Sequence, residues 1–181
     1  MAVNRGKDFE GCIKASFESA PDTAVVRLID PQNGYAGVRN VCDFVVYHKP
    51  YMYFIECKSV HGDKLSIHGL DVKRKYGALT NNQWEGMLEY SKIDGVIAGV
   101  VVWFIDHDIT KFFPIQMLAE MRDSGYRSVK LFPSEWSDIG DKYPWQVIWG
   151  DKRRVLFDYD MTEFFDKMEK KVIELGTRSG C

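Results

Sequence analysis

The chain has 181 residues, of which 45% are hydrophobic and 28% charged, and its formal net charge is −2. These values are typical of one soluble globular domain with a sizeable core, and a charge this small leaves any binding of nucleic acid to local basic clusters. No apolar run reaches about 18 residues without a charge, so no membrane span is predicted, and the charged N-terminus is not expected to be a signal peptide.

The first part of the chain alternates helix and strand patterns. Apolar residues recur at three- and four-residue spacing over 4–20, which predicts a helix. A strand is predicted at 24–29, a loop at 30–40 and a two-stranded hairpin within 42–58. The stretch 59–79 is basic and lacks periodicity, so we expect a mobile loop, with or without a short helix near its end.

The remaining elements complete the predicted fold. They are a helix at 80–92, a buried central strand at 96–105, a strand at 111–115 that forms a hairpin with it, a helix at 116–124, a loop-rich region at 125–150, a strand at 155–158, a helix at 160–175 and a frayed tail at 176–181. This order predicts a single α/β domain over 1–181, with a mixed central sheet flanked by helices.

The hairpin at 42–58 organises the rest of the chain. Side chains alternate between the two faces of a strand, so the register of the pair decides whether Asp43 faces the same side as Glu56. A four-residue connection pairs Tyr47 with Met52 and therefore Asp43 with Glu56. We predict that connection, or a bulge with the same effect.

The hairpin also carries the candidate chemistry. Lys58 shares the face of Glu56, and charged groups within a buried sheet are costly unless they are paired or hold a metal. Two carboxylates that face one point suit a hard divalent cation such as Mg²⁺, and a neighbouring lysine suits the charge of a phosphate in its transition state. A structural ion pair at a strand end explains the same residues equally well.

Other residues admit two interpretations as well. Thr80 and Gln83 fit a capping box at the start of the helix 80–92, which is a structural role for Gln83. Glu10 lies at the border of an apolar helical stripe, where a glutamate is usually only solvated.

The scattered cysteines form no CxxC pair and no zinc-binding spacing. They suggest a reduced, cytoplasmic setting, with Cys42 and Cys57 as buried free thiols.

Four blocks of sequence, in this order, resemble the RecU-type Holliday junction resolvases of Gram-positive bacteria and their phages, a branch of the PD-(D/E)xK nuclease superfamily. The blocks are Asn4-Arg5-Gly6 with Glu10, Cys42-Asp43-Phe44, Tyr53-Phe54-Ile55-Glu56-Cys57-Lys58 and Asn82-Gln83-Trp84-Glu85-Gly86-Met87. The resemblance implies a restriction-endonuclease-like fold. It also implies a Mg²⁺-dependent homodimer, with Mn²⁺ able to substitute, that cuts four-way DNA junctions in pairs, leaves 5′-phosphates and needs no small-molecule cofactor.

The resemblance also implies a role for each matching position. Asp43, Glu56, the carbonyl of Cys57 and Gln83 would bind metal, Gln83 directly or through water. Glu10 and Lys58 would complete the catalytic set, with Lys58 placed to position the attacking water. DNA contacts are expected from Arg5 by the resemblance and from the basic residues of the N-terminal helix and the 59–79 stretch, namely Lys7, Lys64, Lys73, Arg74 and Lys75.

Two departures from the family pattern bear on this expectation. Val41 stands where such proteins usually have a threonine, and only 30–40 is available for their long stalk, as expected of a phage member. Junction selectivity would then be weaker or would come from 59–79. The expected function is a junction-resolving endonuclease. The alternatives are a related endonuclease acting on flap, branched or duplex DNA, or a DNA-junction-binding protein without activity.

The dimer face is the least determined feature of this expectation. A four-way junction has two-fold symmetry, so paired cuts call for two matching sites. Exposed aromatic residues in 125–149 or on the C-terminal helix are the candidates for the interface.

Overall fold

The computed structural model describes residues 5–28, 40–67, 78–153 and 156–179. The helices in these ranges are α1 (Arg5–Ser19), α2 (Asn81–Tyr90), α3 (Ile115–Asp123), α4 (Ser137–Gly140) and α5 (Met161–Ser179). The strands are β1 (Thr23–Arg27), β2 (Phe44–His48), β3 (Tyr51–Val60), β4 (Lys64–Ser66), β5 (Val96–Phe104), β6 (Ile109–Pro114), β7 (Ser128–Lys130), β8 (Gln146–Ile148), β9 (Gly150–Arg153) and β10 (Leu156–Tyr159).

A six-stranded mixed sheet forms the centre of the molecule, in the order β1-β2-β3-β5-β6-β8. β3 and β5 run parallel, and the other neighbouring pairs in this sheet are antiparallel. Two small sheets, β4–β7 and β9–β10, are added at its periphery. The predicted α/β domain with a mixed central sheet and flanking helices is therefore confirmed.

Both faces of the sheet are covered by helices, which gives two apolar cores. Helices α1 and α5 cover one face, chiefly through Phe9, Ile13, Phe17, Phe164, Phe165 and Met168. Helices α2 and α3 cover the other, chiefly through Trp84, Met87, Leu118 and Met121. Among the helices in the described ranges, none combines the length and apolar character needed to cross a bilayer.

The predicted register of the central hairpin is confirmed. Tyr47 is paired with Met52 across β2 and β3, and Phe44 is paired with Ile55. The ladder of this pair ends at Phe44, and the preceding residue, Asp43, donates its backbone N–H to the same residue, Ile55, at its carbonyl oxygen, at 3.1 Å. The Asp43 carboxylate nevertheless lies beside this part of β3, because its Oδ2 accepts from the Cys57 N–H at 2.7 Å and Asp43 contributes to the raised pKa of Glu56.

Several predicted boundaries are wrong. The predicted loop at 59–79 starts too early in the chain, because β3 continues to Val60 and Lys64–Ser66 forms the strand β4, which pairs with β7. Residues 68–77 of the predicted loop lie outside the described residues. The expected loop-rich region 125–150 contains α4, β7 and β8. The expected frayed tail begins too early as well, since α5 extends to Ser179.

The central strand β5 contains a glycine that the packing requires. A Cβ atom at Gly99 would lie 2.4 Å from the carbonyl oxygen of Phe113 and 2.6 Å from the ring of Phe112. Both belong to the paired strand β6, which the sheet holds in place. Neither the backbone oxygen nor the buried ring has room to move.

Gly99→Ala is expected to lower the free energy of unfolding by about 3 kcal/mol, the upper part of the range for an overpacked core. Gly11→Ala is the matched control, because nothing lies within 4 Å of a Cβ at that position of α1. The control should be neutral or slightly stabilising, since alanine favours the helix. Urea unfolding of both variants measures the difference, and equal stabilities would contradict the packing argument.

Candidate active site

Three elements bring the candidate residues together at one end of the hairpin. Asp43 precedes β2, Glu56 and Lys58 lie on β3, and Gln83 lies in the first turn of α2. The Nζ of Lys58 donates to Oε1 of Glu56 at 2.5 Å, and Nε2 of Gln83 donates to the same oxygen at 2.7 Å. These contacts join β3 and α2 at a single carboxylate.

Glu56 is the most constrained acid of the group. Its residue surface is 1% exposed, and its second oxygen, Oε2, is buried without a hydrogen-bond partner. Burial, with a smaller contribution from Asp43, raises the pKa of Glu56 to about 7 against the opposing effects of Lys58 and Gln83. A buried carboxylate oxygen without a donor is costly, so this atom is suited to a cation that the protein would bind.

The orientation of Gln83 is fixed by the capping box of α2. Oε1 of Gln83 accepts from the backbone N–H of Thr80 at 3.0 Å, and Thr80 Oγ1 accepts from the Gln83 backbone N–H at 3.3 Å. Because the atom beside the Thr80 N–H must be an oxygen, the amide nitrogen of Gln83 faces Glu56. The predicted cap is therefore confirmed, and the other end of the same amide contacts Glu56. The metal-binding role predicted for Gln83 stays a prediction, and its amide oxygen, the atom that could bind a metal directly, is engaged by Thr80.

Thr80→Val is expected to weaken the site through Gln83 without touching Glu56. Loss of the hydroxyl removes one half of the capping box and should destabilise the protein by about 1 kcal/mol. A less well oriented Gln83 should also lower the DNA cleavage that the sequence leads us to expect, by about tenfold, the size of effect that losses of supporting hydrogen bonds have at metal sites. Thr80→Ser keeps the hydroxyl and should restore both values.

A second cap separates this effect from general helix stability. Asp160 caps α5, where its Oδ1 accepts from the backbone N–H of Glu163 at 2.9 Å. Asp160→Ala should cost a similar free energy of unfolding and leave cleavage unchanged. If both cap variants lower cleavage equally, Thr80 has no specific role in the site.

Asp43 is held against the backbone of the opposite strand. Its Oδ2 accepts from the Cys57 N–H at 2.7 Å, which keeps the carboxylate beside the Cys57 peptide group. The Cys57 side chain points to the other face, and burial raises the pKa of its thiol well above the usual value. The thiol is therefore structural, in agreement with the predicted buried free thiols.

Val41, the departure from the family pattern, has a packing role. A Cβ atom at Gly86 in α2 would lie 2.5 Å from Cγ1 of Val41, so the absence of a side chain at Gly86 admits the valine. This contact lies three residues after Gln83 along α2. Val41 thus helps to fix how closely the helix approaches the sheet.

Glu10 reaches the site from α1 but is paired there with an arginine. Nη2 of Arg27 donates to Oε2 of Glu10 at 2.6 Å. Burial raises the pKa of Glu10 and Asp43 adds to this, whereas Arg27, Lys58 and Lys7 oppose it. Arg27 was missed from the sequence, although a charged residue in the apolar run 24–29 was the available signal.

The oxygen atoms at this site are of the kind that bind a divalent cation, although they do not belong to a cluster of three metal-binding side chains. Within the described part of the chain, no group of three or more His, Cys, Asp or Glu side chains lies close enough together to hold a metal ion. The unpartnered Oε2 of Glu56, the carboxylate of Asp43 and the neighbouring Cys57 carbonyl are all oxygen donors, which Mg²⁺ prefers.

The predicted DNA-contacting residues that the structure describes lie on α1 and β4. Arg5 and Lys7 are exposed in the first turn of α1, and Lys64 is exposed on β4. Lys64 stands directly opposite Lys130 of β7, and the ion pair of Lys130 with Glu135 at 3.0 Å offsets the repulsion between the two like charges. Lys73, Arg74 and Lys75 lie outside the described residues.

Comparison with known proteins gives a limited result. No family model matches the sequence, and no curated protein matches it. Among solved structures, Hjc from Archaeoglobus fulgidus, described as a Holliday junction resolvase from an archaeal hyperthermophile, has 20% sequence identity and a TM-score of 0.43 over 62% of this chain and 78% of that chain.

Proposed function

We propose that the protein is a metal-dependent endonuclease that resolves four-way DNA junctions. The observation that carries the proposal is the buried carboxylate of Glu56, which has one oxygen bound by Lys58 and Gln83 and the other without a partner. A purely structural ion pair would not require a buried, unsatisfied oxygen beside a second carboxylate. The RecU-type motifs supply the substrate class.

Each residue then has a role that its contacts support. Asp43, Glu56 and the Cys57 carbonyl would hold Mg²⁺, which supplies Lewis-acid charge to the phosphate and to the attacking water. Gln83 holds Glu56 in place from α2. Lys58 is 27% exposed at its side chain while bonded to Glu56, so its ammonium group can also reach a phosphate and stabilise its developing charge.

Glu10 would act through charge rather than as a direct ligand. Its ion pair with Arg27 engages one of its oxygens, and Asp43 contributes to the raised pKa of Glu10, so the charges of these two carboxylates influence each other. In this arrangement Arg27 moderates the negative charge around the site. The expected consequence is a pocket that binds a divalent cation without repelling the DNA backbone.

The surrounding lysines and arginines are suited to the DNA backbone. Lys64, exposed on β4, offers positive charge to a phosphate, whereas its cross-strand partner Lys130 is ion-paired with Glu135 at 3.0 Å. Arg5 and Lys7 offer positive charge beside Glu10. Affinity for DNA should therefore fall steeply with salt, because each phosphate contact releases counterions.

The deciding experiment compares a synthetic four-way junction with a linear duplex of the same sequence in Mg²⁺. Paired symmetric cuts in the junction alone are the expected result. Equal cutting of both substrates would support the assignment as an endonuclease but would contradict its specificity for junctions. Binding without cutting, in Mg²⁺ and in Mn²⁺, would overturn the enzymatic assignment.

A further inference from the structure

An open cavity lies at the outer edge of the central sheet, lined by residues of β6, β8 and β10 and of the segment after β7. Its volume is about 310 Å³, at the lower end of the range for small-ligand sites. Two of the lining residues, Trp149 and Phe132, are 59% and 52% exposed. The Trp149 backbone is fixed, because its carbonyl accepts from the Asp160 N–H at 2.9 Å. Two large exposed rings beside one cavity form an apolar patch of the kind that often binds a ligand.

The lining of this cavity includes a buried lysine. Lys111 is 5% exposed, and its Nζ donates to the carbonyl of Leu131. The same Nζ lies 5.8 Å from the ring centroid of Trp136 and 5.2 Å from that of Trp145. Burial lowers the pKa of this amine to about 8, with no acidic neighbour in the described part of the chain to oppose the effect. An ammonium group has three N–H donors, so Lys111 has donors left for an acceptor on a ligand.

A pair of hydroxyl groups adds further polar atoms to the lining. Oγ1 of Thr110 and the hydroxyl oxygen of Tyr159 are 2.9 Å apart and share one hydrogen bond, and both residues line the cavity. Each hydroxyl can donate and accept, so the pair retains one donor. A suitable ligand is therefore flat, to stack on the rings, and has acceptor atoms at its edge. A nucleobase has both properties.

The charges around Trp149 divide the surface between a base and a phosphate backbone. At the first cavity Lys152 is ion-paired with Asp108, so this side offers little charge to a phosphate. A second cavity, of about 400 Å³, shares Trp149 with the first. Its lining includes three lysines of α5 and one acid, namely Lys167, Lys170, Lys171 and Glu174. Aromatic rings beside a positively charged groove are typical of proteins that bind single-stranded nucleic acid.

The first cavity lies within reach of the candidate active site. Lys58, Val102, Lys111 and Val147 form one row across β3, β5, β6 and β8, and Val147 lines the cavity. Three strand spacings of about 4.8 Å separate Lys58 from Val147, or about 14 Å in all. This distance corresponds to about four nucleotides at the 3.4 Å rise of one DNA strand. A strand bound at Glu56 can therefore extend to the cavity.

We propose that the cavity beside Phe132 and Trp149 binds one unpaired nucleobase of the DNA, while the adjoining backbone follows the lysines of α5. The inference rests on the proposed function for the identity of the ligand as DNA, and it adds a subsite for a single-stranded nucleotide. Removing a base from the stack costs least where the base is already unpaired. The subsite therefore favours branch points and single-stranded ends over continuous duplex.

Binding of single strands in the presence of a chelator tests the proposal without cleavage. The probes are a labelled oligothymidylate and an abasic strand of the same length, which has the same phosphates but no bases. The wild type should bind the oligothymidylate about 30-fold more tightly, the effect of stacking one base on an aromatic ring. Trp149→Ala should abolish this difference, and Trp149→Phe, which keeps a ring, should retain most of it. Equal binding of both strands by the wild type would overturn the proposal.

Further variants separate stacking from charge and from general effects on the fold. Phe132→Ala should weaken binding of the oligothymidylate about tenfold. Lys170→Ala should weaken binding of both strands equally, because a phosphate contact does not depend on the base. Tyr47→Ala is the matched control, since Tyr47 is an exposed aromatic residue of β2 that does not line the cavity. It should bind both strands as the wild type does, and thermal unfolding checks that all variants remain folded.

The oligomeric state tests the other use of Trp149, which lies in the range 125–149 where the sequence analysis sought a dimer interface. Analytical ultracentrifugation of the wild type and Trp149→Ala should give the same oligomeric state. Dissociation of a dimer by Trp149→Ala, with unchanged binding of the oligothymidylate, would assign Trp149 to a protein interface and overturn the proposal.

Cleavage assays separate this proposal from the proposed function. A protein that distinguishes the two strands through Trp149 but cuts no DNA would refute the nuclease and leave the subsite standing. A nuclease whose binding of the oligothymidylate is unchanged by Trp149→Ala and Phe132→Ala would refute the subsite alone.

Discussion

We expect Asp43→Asn to lower the rate of junction cleavage by about 1,000-fold, which corresponds to a loss of about 4 kcal/mol of transition-state stabilisation. The variant keeps the shape of the side chain, and its amide oxygen can still accept from the Cys57 N–H that now binds Oδ2. The fold should therefore be retained. What is lost is one of two negative charges that would hold the cation beside the phosphate.

Single-turnover cleavage with enzyme in excess is the appropriate measurement, because it separates the chemical step from product release. Asp94→Asn is the control, since this exposed aspartate lies in the turn before β5, away from the site. Calorimetric titration with Mg²⁺ in the absence of DNA should show weaker binding only for Asp43→Asn. Unchanged cleavage in that variant would remove Asp43 from the catalytic set.

Glu56→Gln is expected to remove cleavage and to stabilise the metal-free protein at the same time. The carboxylate is buried, and burial raises its pKa to about 7 from 4.5. The folded state therefore binds this proton more tightly than the unfolded state. Stability from this group is fully present below about pH 4.5 and is lost as the pH rises through about 7, by a total of about 3 kcal/mol.

The variant has no such group to ionise, so its advantage should grow with pH. The difference in free energy of unfolding should be small near pH 5 and about 2–3 kcal/mol near pH 8, measured with urea in the presence of a chelator. Glu89→Gln is the control, because Glu89 is exposed. A variant that is less stable than the wild type near pH 8 would show that the contacts of Glu56 outweigh its burial.

The hairpin could be predicted from the sequence because its register depends on local features alone. The length of the connection fixes Tyr47 opposite Met52 and so brings Asp43 to the part of β3 that carries Glu56. The central strand could be predicted equally well, since an uninterrupted apolar run is typical of a strand that is buried on both faces. Its observed bounds, Val96–Phe104, differ from the prediction by one residue.

The short strands could not be predicted in the same way. β4, β7 and β8 have three residues each, too few to establish a period of two. Their pairing is non-local, as between Lys64 and Lys130. The ion pair of Arg27 with Glu10 could not be predicted for the same reason, because only the tertiary fold brings β1 and α1 together.

Gln83 performs the predicted capping role and contacts Glu56 of the candidate site at the same time. From the sequence alone, the capping box and the site compete for one side chain. An amide has an acceptor at one end and donors at the other, and here Thr80 binds the acceptor while Glu56 binds a donor. Sequence spacing places both partners within reach of Gln83 but does not reveal that they approach from opposite ends.

This shared amide couples the site to the local stability of a helix end. The first turn of a helix is usually among the first regions to open, and its amide protons then exchange with solvent. Here opening that turn would also release Glu56. By reciprocity, whatever binds at Glu56 must hold the turn closed by the same free energy, so a ligand at the site should slow hydrogen exchange at the beginning of α2.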